Sequence, residues 1–161
     1  MSAVQRLSPH RSSPRDPLFA SFWQAGFEGA DHINGDGVAV DMNAITAHDR
    51  VFDTDYAQLQ AFGIRTVRES LGWRTAHTAH GYDFARATGR ARSAQRRRVQ
   101  VLWTLCHYGL PPGCTPLDEN FVDRCADFCA QAARTLRQWQ VHAPVYTPIN
   151  EISFFTWALT S

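Results

Sequence analysis

The sequence lacks a long uninterrupted hydrophobic run, because charged residues, glycine or proline break every apolar stretch before the ~20 residues that a membrane-spanning helix needs. It also lacks an excess of charge of either sign, since 16 basic and 15 acidic residues leave a formal net charge of +1. The molecule therefore lacks the large positive net charge that attracts nucleic acid or an anionic membrane. We expect neither nucleic acid nor a membrane among the partners of this protein.

Cysteine is scarce, and its spacing is not that of a metal site. The four cysteines form no CxxC pair, whereas zinc sites usually show paired ligands. Residues 1–17 are rich in Arg, Ser and Pro and contain no apolar segment of the kind found in secretory signals. We therefore expect reduced thiols, no metal or other cofactor, a flexible N-terminal segment over residues 1–17 and a cytoplasmic location.

The 161 residues, 44% of them hydrophobic, suffice for one core, and we expect a single domain over residues 18–161. Short apolar runs alternate with helical patterns, an order that favours βα units around a parallel sheet. The predicted strands cover residues 22–27, 64–69, 99–109 and 145–150. The predicted helices cover residues 53–63 and 84–98, and a third opens with Thr115 as N-cap and Pro116 at its first position. That third helix has an apolar stripe made by Phe121, Cys125, Phe128, Ala132 and Leu136.

Polar residues suited to binding or catalysis lie at the end of each predicted strand or just after it. Glu28 follows the first strand, Arg68 and Glu69 end the second, and His107 lies near the end of the third. Asn150 and Glu151 end the fourth. In α/β barrels the carboxyl ends of the strands build the active face, so these side chains are the candidates for a site.

Several motifs in this order resemble one known group of enzymes. RESLGW after the second strand, TLCHYGLP across the third and YTPINEISFF across the fourth are similar to clan A glycoside hydrolases, closest to the family 1 β-glucosidases. FWQAGFEGADHINGDG at the first strand is similar to the start of those enzymes, though less closely. The likeness spans residues 22–157. It implies an α/β fold that is the N-terminal half of a (β/α)8 TIM barrel, with about four parallel strands and intervening helices.

The resemblance also implies roles for individual residues. Glu151 corresponds to the catalytic acid/base of a retaining β-glycosidase, and Asn150 to the residue that contacts the sugar 2-hydroxyl. His107 would bind the glycone, and Arg68 would keep the nucleophile ionised. Trp73 matches the conserved tryptophan of the second-strand motif, and Glu28 joins the candidate substrate-binding residues by its position. The implied substrate is a β-glucoside-like carbohydrate.

The chain departs from the family pattern in two positions and in length. Ile152 stands where the family usually has proline, and Phe27 replaces a common glutamine. A complete barrel needs ~250 residues, and the family's nucleophile lies at the end of the seventh strand, which this chain does not contain. Because a retaining glycosidase needs two carboxyl groups with different tasks, we expect no hydrolysis by the 161-residue chain.

Other interpretations stay open at this point. Asn150 and Glu151 are also suitable as an N-cap and a first-turn acid of a helix. His107 would serve equally as a hydrogen-bonded histidine at a strand end, and Arg68 with Glu69 as an ion pair. The protein as a whole is alternatively a non-catalytic fragment, a sugar-binding remnant, or one half of a barrel assembled by self-association or with a C-terminal half.

Overall fold

The computed structural model describes residues 17–160, so our prediction for residues 1–17 lies almost wholly outside the described residues. The strands are β1 (Gln24–Gly26), β2 (Asp31–Ile33), β3 (Ala39–Asp41), β4 (Thr66–Ser70), β5 (His77–Thr78), β6 (Gly81–Tyr82), β7 (Gln100–Cys106) and β8 (Val145–Ile149). The helices are α1 (Met42–Ile45), α2 (His48–Ala61), α3 (Trp73–Ala76), α4 (Ala85–Arg96), α5 (Phe121–Leu136) and α6 (Ile152–Thr160). Among these helices, none has both the length and the apolar character needed to cross a bilayer.

Four strands form one parallel sheet in the order β1, β4, β7, β8. In its register Val67 of β4 lies opposite Ala25 on one side and Val101 on the other. Chain order and sheet order coincide, so the prediction of four sequential parallel strands is confirmed. The other strands form two short antiparallel ribbons, β2 with β3 and β5 with β6, which lie within the connections between strands of the main sheet.

Helix α2 is longer than its sequence pattern indicates. It begins at His48 rather than Asp53, and its first turn carries a polar side chain that is only 2% exposed. An apolar stripe therefore could not reveal this turn. The predicted end is close to the observed one, because Gly63 follows the helix with a φ of 74°, the left-handed conformation that commonly terminates helices.

The predicted start of the third major helix is wrong. Helix α5 begins at Phe121, with Asn120 at the N-cap, instead of at Pro116 after a Thr115 cap. The Asp118 side chain accepts a hydrogen bond from the Thr115 backbone N–H at 2.9 Å, and this local bond holds the segment in turns. The apolar stripe itself is present, since Phe128, Ala132 and Leu136 are fully buried.

The main core lies between the sheet and helices α4 and α5. Trp73, Trp103 and Phe128 are each buried, and the rings of Trp73 and Phe128 stack with centroids 5.3 Å apart. Each such side chain contributes roughly 2–3 kcal/mol through burial. Cys125 and Cys129 pack from α5 against this core, and all four cysteines are free thiols.

Neighbouring charges on β4 point to opposite faces of the sheet, as strand geometry requires. Glu69 is fully buried on the helix side, where it pairs with Arg90 at 3.1 Å. It also accepts a hydrogen bond from Tyr56 at 2.5 Å and contacts His48 at 2.8 Å. The alternative in which Arg68 and Glu69 form an ion pair is therefore wrong.

The opposite end of the sheet, where the strands begin, is covered by the first described residues. The side chain of Gln100 accepts from the Ala20 N–H and donates to the Leu18 carbonyl, both at 2.9 Å. Thr66 accepts from the Ser21 N–H at 3.1 Å. The amino ends of β4 and β7 are thus covered by residues 18–21.

Candidate functional site

The carboxyl ends of the sheet strands surround an open groove of about 400 Å³. Its lining residues are Glu28, Ala30, His32, Met42, Arg68, His107, Tyr108, Asn150 and Glu151. The structure thus brings five of the candidate residues from the sequence together and leaves out Glu69 and Trp73. Glu28 and His107 follow β1 and β7, Arg68 lies within β4, and the adjacent pair Asn150 and Glu151 follows β8.

Arg68 lies on the groove side of β4 and is held by two hydrogen bonds. Its Nε donates to Thr104 Oγ1 at 2.8 Å, and its Nη2 donates to Asn150 Oδ1 at 2.5 Å. Thr104 is fully buried in β7. The guanidinium is therefore fixed across three neighbouring strands and presents its charge at the floor of the groove.

Asn150 directly follows β8 and is only 6% exposed. Its backbone N–H donates to the Cys106 carbonyl at 2.9 Å, while its side-chain amide contacts Arg68 and Tyr108. The amide is thus engaged with groove residues rather than with the first turn of α6. The simple N-cap interpretation of Asn150 does not account for these contacts.

Glu151 occupies the position between β8 and α6 and is exposed to the groove. Its backbone has a φ of 43°, and its carbonyl accepts the first helical hydrogen bond, from Phe155 N–H at 2.9 Å. The carboxylate accepts a hydrogen bond from the Tyr108 hydroxyl through Oε2. The strand end and the helix start together direct this carboxylate toward the groove.

His107 lies just beyond β7 and is 8% exposed. Its Nδ1 is 2.8 Å from Ser70 Oγ, and its Nε2 is 3.8 Å from Glu28 Oε1. Burial lowers the pKa of His107, although the Glu28 carboxylate opposes this effect. The ring is consequently neutral near pH 7 and offers the groove a polar, uncharged surface.

Glu28 is the candidate residue at the first strand, and 54% of its side chain is accessible. Its Oε1 accepts a hydrogen bond from the Ala30 backbone N–H at 2.8 Å. This local bond turns the carboxylate toward His107. Glu28 therefore contributes negative charge to the groove from the sheet edge opposite Glu151.

Tyr108 is the main groove residue that the sequence reasoning missed. Its hydroxyl contacts both Asn150 and Glu151, and burial together with the Glu151 carboxylate raises its pKa. The following Gly109 allows this loop to lie against the first-strand loop, because a Cβ there would collide with the Asp31 carbonyl. The only sequence signal was its place beside His107 in TLCHYGLP.

Trp73 lies away from the groove. It is fully buried, stacks on Phe128 and contacts Phe121 with ring centroids 5.8 Å apart. His32 and Met42 enter the groove instead, from the β2–β3 ribbon and from α1. Neither residue carried a recognisable signal in the sequence.

A second, more apolar groove of about 620 Å³ adjoins the first and shares His32 and Tyr108 with it. Leu110 and Phe154 contribute to its walls, and the rings of Tyr108 and Phe154 meet edge to face with centroids 5.3 Å apart. The polar groove thus continues into a surface suited to a flat or apolar group.

The groove combines hydrogen-bond donors and acceptors with two accessible carboxylates, Glu28 and Glu151. Arg68, Asn150 and His107 offer the polar groups that hydroxyl-rich ligands bind. Within residues 17–160, no group of three or more His, Cys, Asp or Glu side chains is arranged to hold a metal ion. An exposed carboxylate among such groups is able to exchange protons.

No protein-family profile matches the sequence, and no curated protein matches it either. Solved structures do resemble the fold. A β-glucosidase from Exiguobacterium marinum superposes with a TM-score of 0.52 at 19% identity, over 58% of this chain and 23% of that one. A rice β-glucosidase solved in a covalent complex with Glc gives 0.51 at 17% identity, over 59% and 22%. The psychrophilic β-glucosidase BglU from Micrococcus antarcticus gives 0.51 at 14% identity, over 62% and 22%.

These similarities concern the fold and only part of it, since the chain matches less than a quarter of each of these larger proteins. The four parallel strands and their helices correspond to one portion of a TIM-barrel glycosidase. The fold class expected from the sequence is therefore confirmed. The chain has a partial (β/α)8-barrel fold similar to one portion of these β-glucosidases.

Proposed function

We propose that this chain is the N-terminal half of a retaining β-glycosidase barrel and that its polar groove receives the sugar of a β-glucoside-like substrate. One observation carries the proposal: Asn150 and Glu151 end the fourth parallel strand and share a groove with Arg68, His107 and Glu28. Four separate strands contribute these residues at the carboxyl end of the sheet. That arrangement is the one expected of an α/β-barrel active face.

In this proposal Glu151 is the general acid/base, which protonates the leaving oxygen and later takes a proton from water. Asn150 donates to the sugar 2-hydroxyl, and the neutral His107 binds further hydroxyls of the glycone. Arg68 would stabilise a neighbouring carboxylate nucleophile. Glu28 binds the sugar from the side of the groove opposite Glu151. Trp73 packs in the core beneath the groove and does not contact the substrate.

Hydrolysis also requires a nucleophilic carboxylate ~5 Å from the acid/base. Among residues 17–160 the other carboxylates near the groove do not meet this need. Glu69 is buried on the far face of the sheet in its pair with Arg90. Glu28 follows the opposite outer strand β1, whose axis lies three strand spacings, roughly 14 Å, from that of β8, and its Oε1 lies 3.8 Å from His107 Nε2. We therefore propose that this chain by itself binds sugar without hydrolysing glycosides.

We further propose that a second half-barrel completes the active face, either another copy of the chain or a C-terminal half. Each outer strand, β1 and β8, has one neighbour in the described sheet, and unpaired strand edges are templates for further strands. Exposed aromatic side chains, Phe22 and Trp23, lie directly before β1 and would be covered on closure. The cytoplasmic location stays a prediction from the sequence.

A screen with chromogenic β-glycosides tests the proposal, applied to this chain alone and to a protein in which strands five to eight of a barrel follow it. We expect turnover in the longer protein only, with loss of that turnover in Glu151→Gln. Glu119→Gln is the matched control, since Glu119 lies outside the groove. Turnover by the chain alone that depends on Glu151 would overturn the proposed lack of a nucleophile.

A binding measurement tests the sugar site independently of catalysis. Titration of the chain with methyl β-glucoside should perturb the NMR signals of His107 and Asn150. The same titration in Asn150→Ala should give weaker binding. Perturbations elsewhere on the surface, with none in the groove, would contradict a carbohydrate site at the carboxyl end of the sheet.

A further inference from the structure

Tyr108 connects the buried and exposed parts of the groove through its hydroxyl group. We infer that Tyr108 is a positioning residue for Glu151, the third member of a directed hydrogen-bond relay that runs from Arg68 through Asn150 and Tyr108 to the Glu151 carboxylate. The inference depends on the proposed function for the catalytic meaning of Glu151. The hydrogen bonds of the relay are formed by the chain alone and need no ligand.

The direction of the relay follows from the first donor. A guanidinium group donates hydrogen bonds and accepts none, so the atom of Asn150 that lies 2.5 Å from Arg68 Nη2 is the carbonyl Oδ1. The amide Nδ2 is thereby turned toward Tyr108 Oη, to which it donates at 2.8 Å. The tyrosine hydroxyl accepts there, and its single proton is donated to Glu151 Oε2.

The relay is anchored where the sheet is most rigid. Arg68 is fixed by its bond to Thr104, whose side chain has no solvent exposure. Asn150 is 6% exposed and is bound through its backbone to the Cys106 carbonyl. Glu151 is exposed, so the buried end of the relay is the more tightly packed one. Order is therefore transmitted outward, from the sheet to the carboxylate.

The backbone on both sides of the Tyr108–Glu151 hydrogen bond adopts an uncommon conformation. Tyr108 has a φ of 74° and Glu151 a φ of 43°, the left-handed region that residues with side chains rarely occupy. Such conformations persist where surrounding contacts determine them and concentrate at functional positions. The Tyr108 ring meets His107 and Phe154 edge to face, with centroids 4.9 and 5.3 Å away. The ring is thus held from both sides.

The relay assigns different tasks to the two carboxylate oxygens of Glu151. Oε2 is engaged with the tyrosine hydroxyl. Oε1 has no hydrogen-bond or ion-pair partner among the contacts of the described residues, so it is the oxygen left to exchange a proton with a ligand. Tyr108 therefore selects which oxygen faces the substrate, without itself touching the reacting atoms.

The first test follows the Tyr108 hydroxyl by NMR with ¹³C-labelled tyrosine across alkaline pH. Its pKa is raised above the ordinary value near 10.0 by burial and by the Glu151 carboxylate. In Glu151→Gln, where a neutral amide replaces the carboxylate, the Tyr108 titration should move to lower pH. An unchanged titration would show that the hydroxyl is not bonded to Glu151 and would overturn the relay.

The second test follows the side-chain amide protons of Asn150 by hydrogen exchange. Tyr108→Phe keeps the ring contacts and removes the hydroxyl, so exchange should accelerate by about tenfold or more as the amide loses its acceptor. Tyr146→Phe is the matched control, because the Tyr146 hydroxyl accepts from Gln140 at 3.0 Å and lies outside the relay. Equal exchange rates in the native chain and Tyr108→Phe would overturn the inference. Neither test uses a sugar, so a failed glycoside screen would count against the proposed function and leave the relay standing.

Discussion

The imidazole of His48 and the carboxylate of Glu69 are hydrogen-bonded inside the protein, with Nε2 2.8 Å from Oε1. The other ring nitrogen, Nδ1, lies 2.6 Å from Asp55 Oδ2. A neutral imidazole has only one N–H, so contact with two carboxylates requires the doubly protonated ring. Helix α2 is therefore joined to strand β4 by a buried imidazolium, and Arg90 adds a second cation from α4.

We predict that the free energy of unfolding falls as the pH rises above about 6.5. Burial by itself would lower the pKa of His48, but the hydrogen bonds and charges of Glu69 and Asp55 outweigh burial and raise it above 6.5. Because the folded pKa exceeds the unfolded one, this stabilisation is complete below about pH 6.5 and is lost as the pH passes through the folded pKa. Thermal melts across this range measure the decline.

His48→Gln should abolish much of this pH dependence and reduce stability by about 3 kcal/mol, since it leaves two buried or partly buried carboxylates without their shared cation. His77→Gln is the matched control, because His77 is exposed on strand β5. A variant at His48 whose melting temperature declines with pH as steeply as that of the native chain would contradict the assignment.

His107 should titrate in the opposite sense. Its pKa lies below 6.5 because of burial, with partial opposition from Glu28. A neutral ring in the folded state makes its contribution to stability complete above about pH 6.5 and diminishing as the pH falls. Imidazole NMR should give a midpoint below 6.5, which moves lower still in Glu28→Gln. A midpoint that rises on removal of this carboxylate would show that the two groups do not interact.

Trp73→Ala should destabilise the protein by about 3–5 kcal/mol, the usual cost of removing a large buried aromatic side chain. The reason is its complete burial and its stacking on Phe128. Trp23→Ala, at a position that is 71% exposed, should change stability by no more than about 0.5 kcal/mol. Urea unfolding compares the two. Similar small effects would mean that Trp73 is accessible and available to a ligand.

The isolated chain should associate in solution and bind a hydrophobic dye. Phe22 and Trp23 are 90% and 71% exposed beside one edge of the sheet, and large exposed apolar patches promote association. Trp23→Ser should reduce both signals. Phe62→Ser, a change at an 81% exposed residue after α2, should not. Sedimentation of a compact monomer without dye binding would contradict the open half-barrel.

The main sheet could be predicted because its strands are short apolar runs in a regular order. The same reasoning located the strand ends, and with them Glu28, Arg68, His107, Asn150 and Glu151. It failed where a polar side chain determines the structure. Asp118 holds turns in a segment that has the composition of a helix start, and His48 extends α2 through contacts with residues distant in sequence.

The composition of the groove was less predictable than its location. Strand alternation separates Arg68 from Glu69, but a sequence does not show which helix supplies the partner of Glu69. That partner is Arg90, 21 residues away. Tyr108 was missed because its role depends on a left-handed backbone at a residue that is not glycine. Such conformations arise from tertiary contacts, which a local pattern does not encode.

The closure of the sheet's amino end by residues 18–21 has a consequence for the order of folding. Ala20 reaches Gln100 across 80 positions in sequence, and Ser21 reaches Thr66 across 45. Contacts of such separation form slowly, because the intervening chain must first be ordered. This segment leaves the ribosome before its partners exist, and it docks only once β4 and β7 lie side by side. We therefore expect its arrival to be a late step, which a fluorescence phase from the adjacent Trp23 after formation of the sheet would reveal.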